Sequence, residues 1–313
     1  MNNNSLEHRF DTDEINSFCK YITEDLGYDV IKIEQQWRHI TGRIMSKDGH
    51  LYFIKMATTP DIGIRTRTEF EWQQIRDSLG IQLPIKIPRI IAAGMYKGKL
   101  YWHISEYIDG PLLADSTHPE SVDDLIQYLP QIVQTIKAIS DIKSDKQLPR
   151  DKEFEGSIEE VLMKEIQKWS PDISVDISEL VEFMLSRIKY VKRGACHGDF
   201  VPWHIIKSNT DGMLYLIDNE STALHRLFLY DLAYMYHRIY TKLKNPYVAR
   251  LLLDTYEKLY GFTSEDREGF LAILALRAIG GYKDCNADIG IIGGADETMQ
   301  SHFVSDLLHG RIF

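Results

Sequence analysis

Three cysteines in 313 residues, Cys19, Cys196 and Cys285, are too few and too irregularly spaced for a disulfide framework. None stands in a Cys-x-x-Cys pair, so a zinc site of the finger or ribbon kind is excluded as well. A reduced, cytoplasmic setting is the expectation. The first residues, MNNNSLEHRFDTDE, are polar and acidic and lack the character of a secretory signal. No run approaches the roughly 18 apolar residues that a membrane span requires. Positive charge is also scarce: 36 Lys and Arg against 46 Asp and Glu give a formal net charge of −10. That balance argues against nucleic acid or a membrane as partner. It would suit a cationic small molecule, although in most acidic proteins the charge serves solubility. There is no internal repeat, no low-complexity tract and no Gly-x-Ser-x-Gly. GGYKDC (280–285) and IGIIGGAD (289–296) are glycine-rich but lack nucleotide-loop spacing, and they read as loops.

What is present is an ordinary globular composition, 44% hydrophobic and 26% charged, in a chain long enough for two lobes. Residues 14–26 carry apolar residues at helical spacing and stop at Gly27. VIKIEQQW, HITGRIM and LYFIKMA read as strands, the last two joined by a turn around Asp48-Gly49. A helix is expected at 66–79, ended by Gly80, and then two more strands, RIIAAGMY and KLYWHISEYI, turning at Gly98. Beyond Gly110-Pro111 the character changes. Helices are expected at 121–142, 157–169, 176–191, 229–243, 247–260 and 264–280, with a short strand-rich passage at 195–219. The fold class is therefore α+β: a small antiparallel-sheet lobe over residues 1–108 and a larger helical lobe over 109–313.

The chemistry concentrates in CHGDFVPWHII (196–206), LYLIDNE (214–220) and YDLAYMY (230–236). Asp199 lies in a loop flanked by Gly and Pro. Asp218 ends an apolar strand 19 positions later, and a hairpin between them would bring both carboxylates to one end. Phosphoryl transfer needs such a pair: one carboxylate takes or orients the hydroxyl proton, the other holds Mg²⁺ on the nucleotide phosphates.

HGD followed by Pro, then LID-x-E, then a DLA helix resembles the aminoglycoside-phosphotransferase and choline-kinase-like family, with its protein-kinase-like fold. The resemblance spans roughly 28–280. It implies transfer of the γ-phosphate of ATP or GTP to a hydroxyl of a small molecule. It makes Asp199 the catalytic base, His197 and Gly198 shapers of the loop, Asp218 the Mg²⁺ ligand, and Asp231 a structural residue bonding back to the loop. Glu220 would line the same cleft. Lys55, on the YFIKMA strand, takes the place of the phosphate-binding lysine, with Glu69 or Glu71 as its helix partner and Glu69 favoured. The segment HISEYIDGP would read the purine through the Glu106 carbonyl and the Ile108 N–H.

Two departures stand out. The family has Asn five residues after its catalytic Asp, as ligand to a second Mg²⁺; here that position is His204, and Asn209 is out of register. Imidazole is a poor Mg²⁺ ligand. The readings are one metal only, a hydrogen bond from His204 to phosphate, an impaired site, or a His204 packed beside Trp203. The hairpin expected to cover the phosphates has one glycine, Gly42, which leaves Arg38, His39 and Thr41 as side-chain candidates. The alternative function is a degenerate kinase-like module that binds nucleotide without transfer. Tyr234, Tyr236, His237 and Tyr240, with Trp203 nearby, form an aromatic stripe that reads as core before pocket, and Cys196 reads as a small buried residue. Glu220, Asp284 and Asp288 could receive an amine. The acceptor's identity and the oligomeric state leave no mark in the sequence.

Overall fold

The computed structural model describes residues 8–114, 122–287 and 296–313. Helix α1 (Thr12–Glu24) opens on Asp11, whose carboxylate accepts from the Glu14 N–H while Glu14 accepts from the Asp11 N–H. Such a reciprocal cap satisfies two donors that the first turn leaves bare. Five antiparallel strands follow in the order β1 (Asp29–Gln36), β2 (His39–Met45), β3 (Leu51–Ala57), β5 (Leu100–Glu106), β4 (Ile90–Tyr96). The turn at Gly49 and that at Gly98 both take positive φ, as the sequence predicts.

Alternation gives this sheet two faces. Ile40, Ile44, Ile54, Met56, Leu100, Trp102 and Ile104 pack with Phe18 and Ile22 of α1. Each fully buried apolar side chain of this size stabilises by roughly 1.5–3 kcal/mol. The odd-numbered residues point the other way. Thr41, Lys55 and His103 stand in register across β2, β3 and β5. Gly42 does not loop over a ligand. It sits inside β2, where a Cβ would lie 2.1 Å from the Lys32 carbonyl oxygen of β1. The turn of that hairpin is Trp37-Arg38, with Trp37 at φ +51°.

Helix α2 runs Pro60–Leu79 and begins six residues before the expected start. Thr59 caps it and Pro60 fits its first turn, a start signal that outweighs the internal Gly63. Gly80 ends it at φ +62°, as predicted.

In the helical part, the single helix expected at 121–142 is two: α3 (Val122–Ile126) and α4 (Leu129–Ser140). Pro130 is the reason, since it starts a helix well and continues one badly. Helix α5 (Ile158–Trp169) begins on a Ser157/Glu160 box, and α6 (Ser178–Leu185) is shorter than expected, followed by a 3₁₀ turn at Ile188–Tyr190. The passage at 195–219 holds one small hairpin, β6 (Ile205–Lys207) with β7 (Leu214–Leu216). Then come α7 (Tyr230–Thr241), α8 (Pro246–Tyr260), α9 (Ser264–Ala287) and α10 (Glu297–Leu308).

GGYKDC is not a loop: α9 continues through it. Its glycines let helices touch. A Cβ on Gly281 would meet Gln300 Oε1 of α10 at 2.4 Å and His237 Nε2 of α7 at 2.7 Å. Most of IGIIGGAD lies outside the described residues, while its Asp296 caps α10, a helix the sequence reading missed. Every residue of α7 except Tyr234 is buried. Tyr236, His237 and Tyr240 pack on Phe303 of α10 and are core. No helix among the described residues is long and apolar enough to cross a membrane.

Candidate active site

A cavity of about 480 Å³ lies between the odd-numbered face of the sheet and the β6–β7 hairpin. Lys55, Glu69, Glu106, Ile108, His204 and Asp218 all line it. Within it, Lys55 Nζ donates to Glu69 Oε1 of α2 at 2.7 Å and to Asp218 Oδ1 at 2.7 Å, and stands 3.1 Å from Glu220 Oε2. Glu71 is not brought here. Two residues along a helix is about half a turn, so it faces away and pairs with Arg67 at 2.7 Å. Of the two glutamates named from the sequence, the favoured Glu69 meets the lysine.

Glu220 is buried and collects cations. It accepts from Arg38 at the tip of the β1–β2 hairpin, and His39 Nε2 lies 3.1 Å from its Oε2. The His39 ring also bonds to Thr66 Oγ1 of α2 at 3.0 Å. Burial pushes the Glu220 carboxyl up, but Lys55, His39 and Arg38 outweigh it and hold the group well below the usual carboxylate range. Burial likewise opposes the charge on Lys55, and the carboxylates of Asp218, Glu220 and Glu69 overcome it, raising the ammonium. Two cations, Lys55 and Arg38, thus face three carboxylates. The surplus negative charge falls on Glu69, which burial and its two acidic neighbours push up to about 7 against the pull of Lys55.

The HGD loop is built on Asp231, near the start of α7. The His197 N–H donates to its Oδ2 at 2.6 Å and the Gly198 N–H to its Oδ1 at 2.9 Å. Bonds of this kind to a charged acceptor contribute roughly 1.5–3 kcal/mol each. Burial lifts the Asp231 carboxyl to about 6, the two N–H groups opposing it. Gly198 adopts φ +83°, and a Cβ there would come within 2.3 Å of the Ser221 carbonyl oxygen. His197 is buried, and that burial lowers its ring to about 3. Its Nδ1 accepts from the Asp199 N–H at 3.3 Å, so it shapes the loop from behind. Cys196 is buried and paired through its backbone with Ala223.

Asp218 takes a left-handed conformation, φ 61° and ψ 54°, which redirects the chain after β7 and presents both its oxygens. Oδ1 goes to Lys55; Oδ2 lies 3.8 Å from His204 Nε2. Burial opposes the Asp218 charge, and Lys55 more than compensates, so the carboxyl is lowered. His204 Nδ1 lies 3.0 Å from the Asp199 carbonyl oxygen and 3.8 Å from Asp199 Oδ2. Asp199, His204 and Asp218 each offer one ligand atom, all within 4.8 Å of one another. This donor set fits a divalent cation, although one donor is nitrogen. Glu69, Asp218 and Glu220 also cluster, but around the Lys55 ammonium, which already stands against all three.

Other candidates resolve simply. Asn209 bonds to Asp109 Oδ2 at 3.1 Å and is away from the centre. Asp284 pairs with Arg238, which answers its charge from within the protein. Asp288 lies outside the described residues. Arg38 reaches Glu220, while His39 and Thr41 line the cavity. The sequence reading passed over His103, 2% exposed on the cavity wall, whose ring burial pushes down to about 3. Strand alternation alone places it on the face of Lys55 and Ser105. It also passed over Gln73, which bonds both the N–H and the carbonyl of Ile90 and so fixes α2 to β4; nothing in the spacing marks it.

Solved structures share this architecture at low identity. A thermostable mutant of aminoglycoside phosphotransferase APH(4)-Ia, in a ternary complex with ADP and hygromycin B, superposes with a TM-score of 0.60 at 13% identity. The match covers 94% of this chain and 98% of that one. The GDP complex of an aminoglycoside 2′-phosphotransferase-IIIa mutant gives 0.57 at 12% identity, over 95% and 97%. An aminoglycoside phosphotransferase from Alicyclobacillus acidocaldarius gives 0.51 at 14%, over 90% and 89%. No curated protein matches the sequence. The model of the phosphotransferase enzyme family, APH, matches residues 58–268, from the end of the Lys55 strand through the HGD loop to α9. That stretch is more than half of the 313 residues, and the chain belongs to the phosphotransferase enzyme family.

Proposed function

We propose that this chain transfers the γ-phosphate of ATP or GTP to a hydroxyl of a small molecule. The observation that carries the reading is convergence: Lys55 from β3 and Asp218 after β7 meet at one cavity, and Asp199 of the HGD loop stands beside Asp218, with ligand atoms within 4.8 Å of each other. Relatives of the same fold crystallised with ADP, AMP-PNP and GDP support a nucleotide there. In this reading residues 1–108 hold the nucleotide. Glu106 and Ile108 meet the purine through their backbone, and Lys55, held by Glu69, meets the phosphates. Asp218, with Asp199 and His204 beside it, would hold a divalent cation such as Mg²⁺, whose chemistry is to neutralise charge on the phosphate oxygens. Asp199 accepts the proton of the acceptor hydroxyl. The acceptor oxygen forms a bond to Pγ, the bond from Pγ to the β,γ-bridging oxygen breaks, and the nucleoside diphosphate leaves with that electron pair. His197 and Asp231 keep the loop in shape, and residues 109–313 supply the acceptor side.

The acceptor class follows the fold relatives, one of which holds hygromycin B. Nucleotide consumption by the purified protein should therefore rise with some member of a panel of aminoglycosides, amino alcohols and sugars, and Asp199→Asn should abolish the rise. Nucleotide bound without transfer to any acceptor would favour the degenerate binding module. No nucleotide binding at all would overturn the phosphotransferase reading.

A further inference from the structure

His204 is the departure from the family pattern, and its surroundings determine what its ring offers. The Asp199 carbonyl oxygen, 3.0 Å from Nδ1, can only accept, so Nδ1 carries the proton of that bond. In the neutral ring the lone pair then belongs to Nε2. Nε2 faces Asp218 Oδ2 at 3.8 Å, too far for a hydrogen bond and within the span of two donors each about 2.1 Å from one ion.

The ring is also well anchored. The His204 N–H donates to the Val201 carbonyl at 3.0 Å, and the Ile217 N–H donates to the His204 carbonyl at 2.9 Å, tying the ring's backbone to the residue before Asp218. A metal-binding histidine is usually oriented in this way, its other nitrogen donating to a carbonyl. The acidic groups divide accordingly. Lys55 takes Asp218 Oδ1 and stands against Glu69 and Glu220, which leaves Asp218 Oδ2 on the side of His204.

We infer that His204 Nε2 is a direct nitrogen ligand of the divalent cation, and that the site thereby favours Mn²⁺ and similar borderline cations over Mg²⁺. The inference rests on the phosphotransferase reading only in placing the cation beside a nucleotide. Imidazole suits first-row transition ions, while Mg²⁺ holds to oxygen and to its own water.

The probe is Mn²⁺, alone and with AMP-PNP, on protein grown with ¹⁵N-labelled or unlabelled histidine. Pulsed electron paramagnetic resonance reads a nitrogen coupled to the ion. Wild type should show a histidine coupling that changes with the isotope, and His204→Asn should lose it while retaining AMP-PNP. Competition calorimetry should give Mn²⁺ about a tenfold advantage over Mg²⁺ in wild type, shrinking to a few-fold in the variant. Absence of an isotope-sensitive coupling in wild type, with and without AMP-PNP, overturns the inference. So does a Mn²⁺/Mg²⁺ ratio that His204→Asn leaves unchanged. Failure of the acceptor panel in the presence of this coupling would count against the phosphotransferase reading and leave the ligand assignment standing.

Discussion

Replacing Lys55 by Met tests the charge arrangement at the heart of the site. The methionine keeps most of the buried stem and removes only the ammonium. In the wild type, Lys55 and Arg38 answer Glu69, Asp218 and Glu220, a balance of two against three. Lys55→Met leaves one cation against three carboxylates, and the ion removed stood 2.7 Å from two of them. Taking one partner from a buried ion cluster costs roughly 3–5 kcal/mol, because the remaining charges stay desolvated. The carboxylates can escape by binding protons, so the cost depends on pH. Glu69 is already raised to about 7 in the folded protein, above its ordinary 4.5, and loss of Lys55 removes the main group opposing that rise. An acid with a raised folded-state pKa contributes stability below its unfolded value and loses it as pH climbs through the folded value. The deficit of the variant should therefore be small near pH 5 and large near pH 8. Thermal unfolding of nucleotide-free wild type and variant at pH 5, 6.5 and 8 measures it. The expected result is a melting temperature several degrees lower at pH 8, with at least half of the gap closed at pH 5. A gap independent of pH, or no gap at pH 8, would refute the charge count.

Asp199→Asn should cut turnover by about 10²–10⁴-fold, the usual contribution of a general base, while calorimetry still finds nucleotide bound; turnover within a few-fold of wild type would remove Asp199 from that role. Asp218→Ala should abolish the dependence of nucleotide affinity on the divalent cation, read by titrating ATP with and without Mg²⁺. If the dependence persists, the cation sits elsewhere. Gly198→Ala meets the Ser221 carbonyl oxygen at 2.3 Å from a backbone already at φ +83°, so it should lower stability by at least about 1–3 kcal/mol in chemical unfolding. Full stability in this variant would mean that the loop has room the geometry denies.

The strands were legible because alternation is a local signal. β2 and β3 match HITGRIM and LYFIKMA residue for residue, and the Asp48-Gly49 turn falls between them. The HGD, LID-x-E and DLA stretches were equally legible as a site, since each carries its polar residues in a fixed local order. What escaped was non-local. Arg38 and Glu220 are 182 positions apart, and no spacing predicts their pairing. Gly280 and Gly281 look like breakers until Trp169 of α5 is seen against the first, and His237 of α7 and Gln300 of α10 against the second. The choice between Glu69 and Glu71 depended on which side of α2 faces Lys55. His204 was noticed as a departure, but the direction of its lone pair depends on the Asp199 carbonyl.

The alternation of β3 also bears on how the chain finds its fold. Lys55 lies between Ile54 and Met56, whose side chains enter the α1 core, and it is held in line with Thr41 and His103. A slip of one position would turn the ammonium toward Phe18 and Ile22 and expose the two apolar residues to the cavity. An unpaired ammonium among aliphatic and aromatic side chains is costly enough to disfavour that misfolded pairing. The residue proposed to meet phosphate thus also proofreads strand assembly, before any ligand has been met.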